Sequence, residues 1–199
     1  MRKVIPLLAL VGFAVACGDG PTSSGDPLTQ AQAQALAGVI IANSFPSGPA
    51  LSPAAAAGAE SATITQTIDV SGPCPEGGTI AFNGSSNVDV ASDQTSATLG
   101  YDYTLTHDAC VATGDDGTVF TLNGNPNVHA HGTINYDQET GFDGSLNYDG
   151  GVEWMAGDMS GACQIDLSAN VSFTTGEGSA SVSGSVCGFS ISVSSSISS

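Results

Sequence analysis

His129 and His131 stand two residues apart in a run that alternates apolar and polar side chains, so both fall on one face of a strand. With a turn near residues 138–140, His129 lies across from Asp149 and His131 from Asn147. Two imidazoles and a carboxylate are ligands that a divalent transition metal accepts. A bare H-x-H brings no third fixed ligand of its own, so the expectation is a polar outer face that happens to carry histidine, with no metal centre. Asp115-Asp116-Gly117 and Asp137-x-Glu139 leave room for loose divalent-cation binding. Neither matches the D-x-[DN]-x-[DN]-G loop, and both read as turns. Asp149 and Glu153 are a carboxylate pair of the kind glycoside hydrolysis uses, but they lie four apart on an outward face with no aromatic cleft beside them. His107-Asp108 in a serine-rich chain invites a hydrolase reading, yet no G-x-S-x-G elbow is present. The expectation is therefore no catalytic residue, no enzyme and no cofactor.

The histidines sit in Thr118–Met155, which reads as two long strands and a short turn. From Phe142 to Trp154 the even positions are apolar or glycine, and most odd ones are Asp, Ser, Asn or Glu. Such period-2 alternation means one wet and one dry face. The partner run places Phe120, Leu122, Val128, Ala130, Ile134 and Tyr136 on its dry face. Tyr148 and Trp154 also fall there; core is the default for them, a ligand pocket the sharper alternative. From Ala62 onward the same pattern predicts strands at 63–71, 79–90, 96–109, 118–136, 142–155, 161–173 and 179–193, separated by Gly-, Asp- and Pro-rich turns. The fold class expected is mainly β, an antiparallel up-and-down meander of about seven strands, either a curved sheet or a small barrel. A polar outside around a dry inside fits an aqueous domain better than an outer-membrane barrel, whose polarity is reversed. Glycines 84, 124, 132, 144, 150 and 184 on the dry face suit sharp bends or close packing by another element.

That second element is 28–43, the one helical candidate. Thr29 and Gln32 form a capping-box pattern, Asp26 with Pro27 is an equally good start, and Leu28, Ala35, Leu36, Val39 and Ile40 fall mostly on one face. A helix laid on the dry face of the sheet is expected. A lipid-surface helix would need a basic face, which is missing. Residues 44–61, rich in Pro, Ala, Gly and Ser, read as a linker, and 62–199 as the β-meander domain.

Charge is lopsided. Across 199 residues there are 19 Asp and Glu against two basic residues, Arg2 and Lys3, for a formal net charge of −17. Nucleic acid and anionic headgroups are poor partners for a surface that cannot neutralise phosphate. Arg2-Lys3 and the apolar run Val4–Ala16, too short to span a bilayer, make residues 1–16 an export signal.

The end of that run, Ala14-Val15-Ala16-Cys17, resembles the lipobox of bacterial lipoprotein precursors. The resemblance implies that Cys17 is lipidated and becomes the new N-terminus, and that the protein reaches the membrane through this anchor. Ala14 stands where that family usually has Leu, and Ala14-Val15-Ala16 also fits an ordinary signal-peptidase site, which would give a secreted protein. Gly18 is not the Asp associated in that family with inner-membrane retention, which implies the outer membrane. Residues 17–27 then form a lipid-anchored flexible tether. The stretch Phe120–Asn127 loosely resembles envelope lipoproteins of environmental bacteria and implies no activity.

If Cys17 takes lipid, Cys74, Cys110, Cys163 and Cys187 remain, an even set suited to an oxidising compartment. In a meander, Cys74 and Cys110 reach the same end of the sheet, and folding about Thr175 brings Cys163 opposite Cys187. The expected bonds are Cys74–Cys110 and Cys163–Cys187, with a β-bulge where the seventh strand changes phase at Val186/Cys187. A four-thiolate zinc site is disfavoured by the lack of any C-x2–4-C spacing. These features lead to three readings: a non-enzymatic, lipid-anchored envelope protein; a carrier of a small apolar ligand; and a surface glycan hydrolase.

Overall fold

The computed structural model describes residues 24–25, 28–44, 62–124, 126–174 and 177–198. The leader, Cys17 and most of the tether and linker lie outside these residues. In chain order the elements are β1 (Ser24–Gly25), α1 (Gln30–Ala42), β2 (Ala62–Pro73), β3 (Gly77–Val90), β4 (Ser96–Thr113), β5 (Val119–Asn123), β6 (Val128–Asp137), β7 (Gly141–Ala156), β8 (Met159–Thr174), β9 (Glu177–Val186) and β10 (Phe189–Ser198). Every pairing is antiparallel. The sheet runs β10-β9-β8-β7-β5-β4-β3-β2, with β6 continuing β5 between β4 and β7, and β1 adding a two-residue bridge to β8. Among the described residues β2 and β10 each pair with one strand only, so the sheet has two edges.

The meander is the one the alternation predicts, with two differences. The run 118–136 is not one strand. Leu122 pairs with Trp154 and Val128 with Gly150, so six positions on one side face four on the other. The two extra residues lie between β5 and β6, where Pro126 has no N–H for a ladder. The second difference is at the C-terminus. The phase change at Val186/Cys187 is not a bulge but a two-residue hairpin turn, in which Val186 pairs with Phe189. Cys187 and Gly188 both have positive φ, 53° and 81°, the conformation of the turn that matches strand twist. These two breaks raise the strand count from about seven to nine, plus the two-residue β1.

From Leu146 to Trp154 the dry face is dry where the register predicts. Leu146, Tyr148 and Trp154 are buried while Asn147 is half-buried and Asp149 exposed. The helix lies on this face. Its N-cap Thr29 accepts from the Gln32 amide at 3.2 Å, and the Gln32 side chain accepts from the Thr29 amide at 2.9 Å, closing the capping box. Leu28, Ala35, Leu36, Val39 and Ile40 are all buried. At one end Gln30 Nε2 donates to Ser190 O of β10 at 2.8 Å; at the other, the Tyr103 hydroxyl of β4 donates to Ser44 O at 2.5 Å.

Cover is uneven, and this corrects the expected dry face of the 118–136 run at Ile134 and Tyr136. Beyond the helix, Ile64, Val88, Val90, Leu99, Ile134 and Phe142 are half-buried; Tyr136 is 51% and Phe173 43% exposed. Val70, at the β2 edge, is exposed as well. The dry-face glycines answer to the neighbouring strands rather than the helix. A Cβ on Gly132 would meet Ser145 O at 2.1 Å, and one on Gly184, at φ 136°, would meet Asp166 O at 2.0 Å. Close approach of strand backbones demands glycine there.

Both expected disulfides are formed. Cys74 is bonded to Cys110 and Cys163 to Cys187, with Cα separations of 5.5 and 4.5 Å. They close spans of 36 and 24 residues. On the chain-entropy account each contributes about 3–4 kcal/mol.

Candidate metal centre

On the wet face, the register sets His129 of β6 between Thr104 of β4 and Asp149 of β7, and His131 between Asp102 and Asn147. The two imidazoles stack with centroids 5.0 Å apart. The Asp102 carboxylate reaches diagonally to His129 Nε2 at 2.9 Å, and Asp149 Oδ1 lies 3.1 Å from His129 Nδ1. The same Asp149 oxygen is 3.6 Å from His131 Nδ1. One donor atom from each of His129, His131 and Asp149 lies within 4.8 Å of the others. The hydrogen bond to Asp102 is the main cause that raises the His129 pKa; burial opposes it, and the hydrogen bond to Asp149 adds to the rise. Asp149 on the neighbouring strand stands where the third ligand that the bare H-x-H pattern lacks would have to be.

The other candidate residues are not brought together. The Asp116 carboxylate accepts from the Thr118 amide and hydroxyl, and Asp137 Oδ1 accepts from the amides of Glu139 and Thr140, so both stretches are side-chain-stabilised turns. The backbone bonds from Thr140 and Glu139 hold the Asp137 carboxyl below its ordinary range. Asp149 and Glu153 are both exposed on the wet face, while Tyr148 and Trp154 are buried on the other, so no aromatic wall from β7 flanks the pair.

His107 is buried on the dry face and Asp108 is exposed, so they do not form a catalytic pair. Neither His107 ring nitrogen has a hydrogen-bond partner, and burial pushes its pKa down to about 4. Beneath the helix end, Tyr101, Tyr103 and Tyr148 gather on the dry face, each with its pKa raised chiefly by burial, Tyr148 to about 12. The Tyr101 hydroxyl is shut off from solvent and makes no hydrogen bond. In the sequence, the tyrosine repeated at 101 and 103 on one strand face is the sign of this polar cluster.

A separate cleft of about 300 Å³ lies between the helix C-terminal turn and the β4–β5 turn, lined by residues that include Val39, Asn43, Glu76, Ala112 and Asp115. Its Glu76 carboxylate already accepts from the Thr113 hydroxyl at 2.6 Å. Among the described residues no helix is long and apolar enough to cross a membrane. No protein-family model matches the chain, and neither does any curated protein or solved structure.

Proposed function

We propose that this chain is a lipid-anchored protein of the cell envelope, held at the outer membrane through Cys17, whose β-sheet domain acts by binding rather than by catalysis. The observation that carries this reading is the cysteine pairing. With Cys74–Cys110 and Cys163–Cys187 bonded, Cys17 alone of the five cysteines stands outside a disulfide of the domain. It is also the residue at which the lipobox-like sequence puts the acyl chain. Two disulfides fit an oxidising compartment, the destination implied by the leader. The intact mass of protein purified from envelopes tests the reading: it should equal residues 17–199 with two disulfides plus acyl groups. A mature chain that keeps an unmodified Cys17 thiol refutes the anchor. Such a chain also has no Lys or Arg and should pass through trypsin uncut.

The open end of the dry face favours a second reading, a carrier of a small apolar ligand. Leu99, Ile134 and Phe142 are half-buried there, and the Tyr101 hydroxyl offers an unused hydrogen-bonding group at its inner limit. Saturable binding of a fluorescent fatty acid, weakened by Leu99→Gln, would support it. Lack of saturable binding would remove it.

A further inference from the structure

While His129 is neutral, the form that binds a metal, the atoms that converge on the wet face have too few protons. A neutral imidazole has one N–H. If His129 gives it to Asp102 at Nε2, its Nδ1 lone pair faces the Asp149 carboxylate at 3.1 Å. His131 Nδ1 faces the same oxygen at 3.6 Å, too far for a hydrogen bond, and is itself enclosed and without a partner. Two ring nitrogens thus lie within 3.6 Å of one carboxylate oxygen. A single cation satisfies all three.

The geometry points to a binding site for one borderline divalent transition ion, of which zinc is the type, ligated by His129 Nδ1, His131 Nδ1 and Asp149 Oδ1. Three features support it. Ligands at zinc distances in a tetrahedron lie about 3.4 Å from each other, and the two edges to Asp149, 3.1 and 3.6 Å, straddle that value. Asp102 on His129 Nε2 is the carboxylate behind a ligating histidine that fixes its tautomer and ring plane. The surroundings favour cations: Asp166 pairs with Asp149 on the next strand, and no Lys or Arg follows Lys3. Imidazole donors select zinc and copper over calcium and magnesium, which want oxygen. His129, His131 and Asp149 are 37%, 44% and 59% exposed in their side chains, so the fourth position faces solvent and takes water or an exogenous ligand.

The site stands independently of the lipid anchor, and so does its test. Purified, disulfide-intact protein is titrated with zinc chloride in a non-chelating buffer near pH 7.5, by calorimetry and by nitrogen-15 NMR of the imidazole rings. One equivalent should bind, with the Nδ1 signals of His129 and His131 shifting and those of His107, the one other histidine, standing still. His131→Gln and Asp149→Asn should weaken binding by more than Asp102→Asn, a positioning change expected to cost about tenfold. Asp116→Asn should leave it unchanged, and equimolar calcium should not displace zinc. The proposal falls if calcium competes equally, if Asp116→Asn matters as much as His131→Gln, or if the two ring signals stay in place. The NMR arm uses the unmodified chain and needs no variant to fold.

Discussion

The two ends of the dry face carry the same alternation and meet different fates. At the covered end, Leu36 and Ile40 of α1 and Leu105, Phe120, Leu122 and Val152 of the sheet are fully enclosed. At the open end, Leu99 pairs with Ile134 and Ala97 with Tyr136 in equally regular register, yet these side chains remain partly wet. Phe142 and Phe173 stack there at 5.4 Å, apolar groups sheltering each other. An apolar stripe is thus a requirement for burial and not a guarantee of it. A second layer must lie over the stripe, and 13 residues of helix cover part of the sheet.

The largest effect that would sharpen this contrast is a matched pair of truncations. Leu36→Ala should lower unfolding free energy by about 3–4 kcal/mol, whereas Ile134→Ala should cost about 1 kcal/mol, because the half-exposed site leaves little cavity. Equal losses in urea melts would break the distinction between the ends. Removing one cross-link, as Cys74→Ser with Cys110→Ser, should cost about 3–4 kcal/mol, and the doubly reduced chain should lose more than either pair variant.

His107 makes the covered end sensitive to acid. Its folded pKa of about 4 lies below the ordinary 6.5, so between these values the unfolded chain takes a proton that the folded one refuses. Stability should therefore fall as pH drops from 6.5 toward 4, by at most about 3 kcal/mol. His107→Leu should remove that slope, and an unchanged slope in the variant would contradict the assignment. His129 works with the opposite sign: its raised pKa stabilises the fold below about 6.5, and that contribution is lost as pH rises through the folded value. At the helix start, Thr29→Ala should cost about 1 kcal/mol by opening the capping box. Smallest of all, Tyr136→Thr at the open end should shift stability by less than about 0.5 kcal/mol.

Much was legible in the residues alone. Period-2 alternation set which side of each strand is dry, since side chains on a strand must point to opposite faces. It also set the opposition of His129 and Asp149, because a turn of known length leaves one antiparallel register that keeps both dry faces together. Both disulfide pairings followed from spacing within that register, whereas Thr29–Gln32 was one of two helix starts the sequence offered beside Asp26-Pro27. Tertiary structure alone decided the rest. It set where 118–136 breaks and how the chain turns at Cys187-Gly188, although a proline without an N–H and a glycine marked both places in the sequence. It carried Asp102 from a strand 27 residues away onto His129, and it left one end of the apolar face without a cover. Local pattern determines which way each side chain points; only the packed chain determines what each side chain meets.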